Sequence, residues 1–330
     1  MSNRSRILAA VFASLVVMAT IAVPPCAIAA PTVSWTQLSP ATSPSARAYP
    51  SMAYDPVSKK IVLFGGFSAK GYLNDTWSFD GTNWIHLSTS SAPPVRTNAS
   101  MIFDKGSRKL VMFGGYNGSN YLGDTWTFDG STSTWTNANP STAPKAVTGP
   151  MLFPDPVNGN ADVYGGFDGM FYQATTYQWN GTNWVNLNPP TSAYARSIAV
   201  VATDTATKTT VLFDGLGDLN PYNTWTFDGT TWTMQSPATL PPSRYGAPGA
   251  YDPAYKAVIT FGGGEGGVDT LTDTWAWTTA GNWVQLSPGQ SPPPREGYGM
   301  TWDPAIGHTV IFGGQSGASF LGDTWELTPH

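Results

Sequence analysis

The sequence predicts an all-β fold: a six-bladed β-propeller of four-stranded antiparallel blades. Three observations carry this reading. First, a short apolar run ending in glycine recurs six times. Its aromatic falls at Phe64, Phe113, Tyr164, Phe213, Phe261 and Phe312, steps of 48 to 51 residues. Second, three other markers keep the same step. Third, only 11% of the chain is charged, 35 Gly and 28 Pro punctuate short apolar runs, and no helical periodicity appears after residue 30. Self-similarity at a period near 50 residues is the mark of a repeat architecture.

Taken in order, residues 1–29 read as a secretory signal peptide. Arg4 and Arg6 lead an apolar stretch from Ile7 to Val23, and Ala27-Ile28-Ala29 offers small residues at the cleavage spacing. Cleavage would remove Cys26, the single cysteine, so the exported chain is expected to hold together by burial without disulfides. It would also leave 14 basic against 21 acidic residues, a net charge of −7. That balance argues against nucleic-acid or anionic-membrane partners, which need a basic face. Residues 30–330 are expected to form the propeller, as a monomer.

Each period supplies four strand candidates. In the first copy they are the small-residue segment Ala48–Tyr54, the apolar run Ile61–Phe64, an alternating segment with Trp77 and Phe79 on one face, and Asn83–Leu87. Asp80-Gly81 supplies the tight turn between the last two. Small residues suit the strand nearest the axis, and large aromatics suit the widening periphery. A basic residue precedes each inner strand (Arg47, Arg96, Lys145, Arg196, Arg244, Arg295), and an aspartate closes it (Asp55, Asp104, Asp155, Asp204, Asp252, Asp303). The aromatic of an Asp-Thr-Trp phrase falls at Trp77, Trp126, Tyr177, Trp225, Trp275 and Trp325. A second tryptophan follows at Trp84, Trp135, Trp184, Trp232 and Trp283. The partner of Trp325 is Trp35, so the N-terminal strand is expected to pair beside Thr324–Leu327 and complete the sixth blade.

The glycine-ended runs, the paired tryptophans and the basic residue before each inner strand resemble the kelch repeat family over residues 32–330. The resemblance implies a six-bladed propeller that binds through the face bearing the loops between second and third strands. It suggests a non-catalytic module recognising a protein or glycan. It also suggests a second reading, a metal-free sugar epimerase or mutarotase of the sialic-acid type, using Arg295 with Glu296 and Glu265 for acid–base work. A purely structural role is the third.

The residues themselves leave two readings of the arginines open. Each could clamp the Asp-Thr-Trp aspartate of its own blade; copy 3 has both Lys145 and Thr175 in these positions, whereas copy 4 keeps Arg196 opposite Asn223. Alternatively Arg47, Arg96, Lys145, Arg196, Arg244 and Arg295 face a ligand. Deviations from the repeat are the other candidates. Asp168, Met170, Phe171, Tyr172 and Tyr222 lie on the variable loops, and the non-repeat acids there include Asp214, Asp218 and Asp269. Tyr72, Tyr121, Tyr172 and Phe320 recur in register, which favours loop packing, whereas Met170, Phe171 and Tyr222 are off register. No metal or cofactor is expected, because His86, His308 and His330 are scattered and the mature chain has no thiol.

Overall fold

The computed structural model describes residues 33–217, 222–266 and 269–329. The expected leader with Cys26, together with Asp218 and His330, lies outside the described residues. Six four-stranded antiparallel sheets follow one another around a ring. Blade 1 comprises Ser51–Asp55, Lys60–Ser68, Gly71–Phe79 and Trp84–Leu87. Blades 2 to 5 repeat that order, with inner strands Ser100–Asp104, Met151–Pro154, Val200–Asp204 and Gly249–Asp252. Blade 6 takes Gly299–Asp303, His308–Phe312 and Thr324–Pro329 from one end of the sequence and Val33–Leu38 from the other. Val33–Leu38 runs antiparallel to Thr324–Pro329 with Trp35 opposite Leu327, as the missing tryptophan required.

The apolar second strands are sandwiched between sheets. Ile61, Val62, Leu63 and Phe64 are essentially inaccessible, and so are their counterparts in the other blades. A strand buried on both faces can be continuously apolar rather than alternating. One interface design recurs six times. The second tryptophan of each blade is buried and donates its indole N–H to the threonine of the neighbouring blade's Asp-Thr-Trp phrase. The pairs are Trp84 to Thr324, Trp135 to Thr76, Trp184 to Thr125, Trp232 to Thr176, Trp283 to Thr224 and Trp35 to Thr274, at 2.8–3.1 Å. The same indole packs on the second-strand aromatic of that neighbour, as Trp135 does on Phe64 with ring centroids 5.2 Å apart and Trp35 on Phe261 at 5.6 Å. A buried tryptophan needs a partner for its N–H, and the threonine supplies it.

A second closed circuit runs nearer the axis, where Tyr49, Asn98, Gly149, Ile198, Gly246 and Gly297 stand one per blade. Each backbone N–H bonds the carbonyl of the residue before it in the circle. Five of these bonds span 2.7–3.1 Å, and Tyr49 donating to Gly297 closes the sixth. All six have left-handed φ between 44° and 62°. Glycine adopts that region freely, asparagine tolerates it, and a β-branched residue such as Ile198 does so only under constraint. This collar lies at one end of the axial channel, a space of about 310 Å³ whose walls include Met52, Met101, Met300 and Trp302. Diglycine makes the blades fit here: a Cβ on Gly65 would stand 2.8 Å from the carbonyl oxygen of Arg96, the same oxygen that accepts the N–H of Gly66.

If the N-terminal strand is an integral part of blade 6, Trp35→Ala should cost as much as Trp84→Ala. A large core truncation costs about 3–5 kcal/mol. Urea unfolding of both variants checks this, and a loss below about 1 kcal/mol for Trp35→Ala would show that the strand does not close the ring.

Candidate functional site

The arginines point into the wall of the ring. Arg47, Arg96, Arg244 and Arg295 each form a two-pronged pair with the Asp-Thr-Trp aspartate of their own blade, Asp75, Asp124, Asp273 and Asp323, at 2.6–3.0 Å. Each also donates from Nη1 to the first diglycine carbonyl, those of Gly65, Gly114, Gly262 and Gly313. The Nε–H donates to the carbonyl two residues back. The aspartate accepts a third bond from the indole of its own tryptophan, as Asp124 does from Trp126 at 2.7 Å. Burial alone would raise the Asp75, Asp124 and Asp323 carboxyls. The guanidinium beside each outweighs it and holds them below the ordinary carboxylate value. The arginines Arg47, Arg96, Arg196, Arg244 and Arg295 are at most 1% exposed. Of the two readings left open by the sequence, the clamp describes the geometry of these five arginines: most of their donors are met within the blade.

Blade 4 keeps the clamp in altered form. Arg196 donates to Asn223 Oδ1 at 2.8 Å and to the carbonyl of Asp214 at 3.0 Å. Asp214 occupies the first diglycine position at φ 54° and is buried. Its carboxylate accepts the backbone N–H of Arg244 at 2.5 Å. The negative charge lost at Asn223 thus reappears one strand away. Desolvation still dominates: it lowers the Arg196 guanidinium to about 10 and raises the Asp214 carboxyl.

Blade 3 corrects the sequence register. Its residue equivalent to the arginine is Val147, not Lys145. The N–H of Gly115 bonds the Val147 carbonyl where Gly66 bonds that of Arg96, and Val147 N–H bonds the Leu122 carbonyl where Arg96 bonds that of Leu73. The nearest basic residue lies two positions early because the feature that recurs from blade to blade here is a backbone contact, which sequence does not show. Lys145 is 69% exposed and reaches Asp168 at 3.5 Å. Val147 and Thr175 replace arginine and aspartate together, so neither charge is left buried alone.

The loops between second and third strands share the clamp face with Tyr49 and its collar. There Phe320, Phe67, Tyr72, Tyr116, Tyr121, Phe167 and Tyr172 form a continuous arc from blade 6 to blade 3, successive ring centroids 4.8–6.0 Å apart. Tyr72 lies over Gly118 and Tyr121 over Gly169, where a Cβ would meet the ring at 2.6 and 2.5 Å. The recurring aromatics therefore lock neighbouring loops. The off-register residues stand out: Met170 is 73% and Phe171 57% exposed. Asp168 caps their turn, accepting both backbone N–H groups. Tyr222 is partly exposed, and its hydroxyl donates to the Pro241 carbonyl. Tyr194 and Leu216 of blade 4, not singled out from sequence, are exposed as well.

Glu265, Glu296 and Arg295 do not come together as an acid–base site. Arg295 is clamped, Glu296 Oε1 accepts from Gln315 at 2.8 Å, and Glu265 is exposed on the Gly264–Glu265 hairpin. None of the three lines the axial channel. Among the described residues no group of three His, Cys, Asp or Glu side chains is placed to hold a metal ion.

The inner-strand aspartates cap hairpin turns, as Asp55 does for Val57 and Ser58. Asp162 departs from this pattern. It replaces an apolar residue of the second strand in blade 3, is fully buried, and receives one bond from Gln178 at 2.9 Å. Desolvation raises its carboxyl to about 9, with Asp155 and Asp104 adding to the shift. A raised carboxyl contributes stability that is complete below the unfolded value, near 3.9, and is lost as pH climbs toward 9.

Two stability measurements follow from these sites. Asp162→Asn should be more stable than wild type at pH 8, the gap growing by up to about 1.4 kcal/mol per pH unit between pH 5 and 8. A pH-independent difference would show Asp162 ionised in the fold. Asp124→Ala should lose about 3–5 kcal/mol by leaving Arg96 buried and unpaired. Asp124→Asn, which copies blade 4, should lose distinctly less in the same urea titration.

Residues 26–206 match the family model described as the KLHDC2/KLHL20/DRC7 Kelch-repeats domain, more than half of the chain. No curated protein matches significantly. With the repeat registers, the six closed blades and this match in hand, the chain belongs to the kelch-repeat family of β-propellers.

Proposed function

We propose that this protein is an exported, non-catalytic interaction module that docks a protein partner on the clamp face, in the sector of blades 3 and 4. Kelch-repeat propellers typically serve as protein-interaction scaffolds. The observation that carries the reading is where the apolar surface sits. Met170, Phe171, Tyr194, Leu216 and Tyr222 are all more than a third exposed, and all belong to the two blades whose clamps depart from the repeat. Exposed aromatic and methionine side chains are costly to leave in water and are enriched at the centres of protein interfaces. In blades 1 and 2 the loop aromatics are instead interlocked in the arc, so the sector differs from them in exposure. Export rests on the leader at residues 1–29. No helix among the described residues is long and apolar enough to cross a membrane.

The test is a screen of the mature chain against secreted and surface proteins of its source. Partners should bind wild type and Val185→Asp equally, since Val185 is exposed on the outer strand of blade 3. Phe171→Asp should weaken binding at least tenfold. Equal affinity of both variants would move the interface off this sector.

A further inference from the structure

Blade 3 retains the frame of the clamp without its guanidinium. Gly165 has φ 70°, matching 64° at Gly65 and 76° at Gly114, and Gly166 N–H still bonds the Arg196 carbonyl at 2.9 Å. Val147 ends at two methyl groups, and Thr175 is shorter than the aspartate it replaces. A cavity of about 70 Å³ remains, bounded by Lys145, Val147, Gly165, Gln173 and Thr175. These include the positions that elsewhere supply arginine, diglycine carbonyl and aspartate. The Lys145 side chain does not fill it, being turned outward to Asp168.

We propose that this socket receives the guanidinium of an arginine from a protein partner, completing in trans the clamp that the other blades make in cis. The acceptors are defined by the sister blades. The Gly165 carbonyl corresponds to those of Gly65, Gly114, Gly262 and Gly313, which each take an Nη1–H. The Lys145 carbonyl corresponds to those of Ser45 and Pro94, which take the Nε–H. The Thr175 hydroxyl takes the place of the aspartate, and the Asp168 carboxylate, which accepts from Gln173 Nε2 at 3.0 Å and pairs with Lys145, adds negative charge next to these two lining residues. A planar cation with several fixed donors fits several fixed acceptors; a compact ammonium does not. Asp168 also accepts the N–H groups of Met170 and Phe171, so the socket opens beside the exposed apolar pair. An arginine flanked by apolar residues is therefore the partner feature that fits. The macromolecular source of the arginine rests on the docking reading above, whereas the socket itself does not.

The socket is tested alone by titrating isotope-labelled mature protein with methylguanidinium and, separately, methylammonium, following the amides of Gly165 and Thr175 by NMR. Methylguanidinium should give a localised, saturable shift with a Kd at least fivefold below that of methylammonium. Thr175→Asp, at an exposed position, should tighten it several-fold by restoring the carboxylate. Val147→Arg with Thr175→Asp should abolish it, because the chain's own arginine then fills the space. No localised shift, an equal response to the two cations, or weaker binding in Thr175→Asp overturns the proposal, as does binding that survives in a folded double variant. Should the double variant not fold, the single variant decides. A failed titration together with a partner that still loses affinity in Phe171→Asp would sink the socket and leave the docking face standing.

Discussion

One buried contact is made six times, and the ring depends on it. An outer-strand tryptophan crosses to the neighbouring blade, packs edge-on or tilted against its second-strand aromatic and donates to its threonine. A propeller blade has no core of its own; its apolar faces are covered only by the blades on either side. Each interface must therefore be satisfied, and the last must meet the first. Trp35 and Thr274 make the contact between blades 5 and 6 from residues 239 apart in sequence. Non-covalent closure suffices because the closing strand brings both backbone pairing and a full tryptophan contact.

Inside that ring the clamps do a different job. The bond between second and third strands must open into a loop just where the strands reach the clamp face. Arginine ties the loop's two stems together through carboxylate and carbonyl at once. Buried pairs of this kind are costly to break on one side and cheap to replace on both. The two irregular blades follow that rule. Blade 3 discards both charges, and blade 4 moves its carboxylate from position 223 to Asp214. The same two blades carry the exposed apolar loop residues Met170, Phe171, Leu216 and Tyr222, so the departures from the repeat and these side chains fall in one sector.

Some of this was legible in the residues and some was not. Trp35 announced its place because a sixth tryptophan was owed and the register had one position to receive it. The pairing of Arg96 with Asp124 was readable from their joint absence in blade 3. The register of blade 3 was misread by two residues, because Val147 keeps the backbone contacts of an arginine while sharing none of its side-chain chemistry. The exposure of Tyr194 and Leu216 left no mark in the pattern, since each is an ordinary apolar residue near a repeat position.

By itself, the sequence determined the number of blades, the strands in each and the partner that closes the ring. Those follow from periodicity and alternation, which are local and repeat along the chain. Tertiary structure decided which way the arginines point, where the collar of left-handed residues forms and which loop residues stay exposed. These depend on what a neighbouring blade already covers: a side chain whose donors are met inside the wall is spent, and one that its neighbour leaves bare is available.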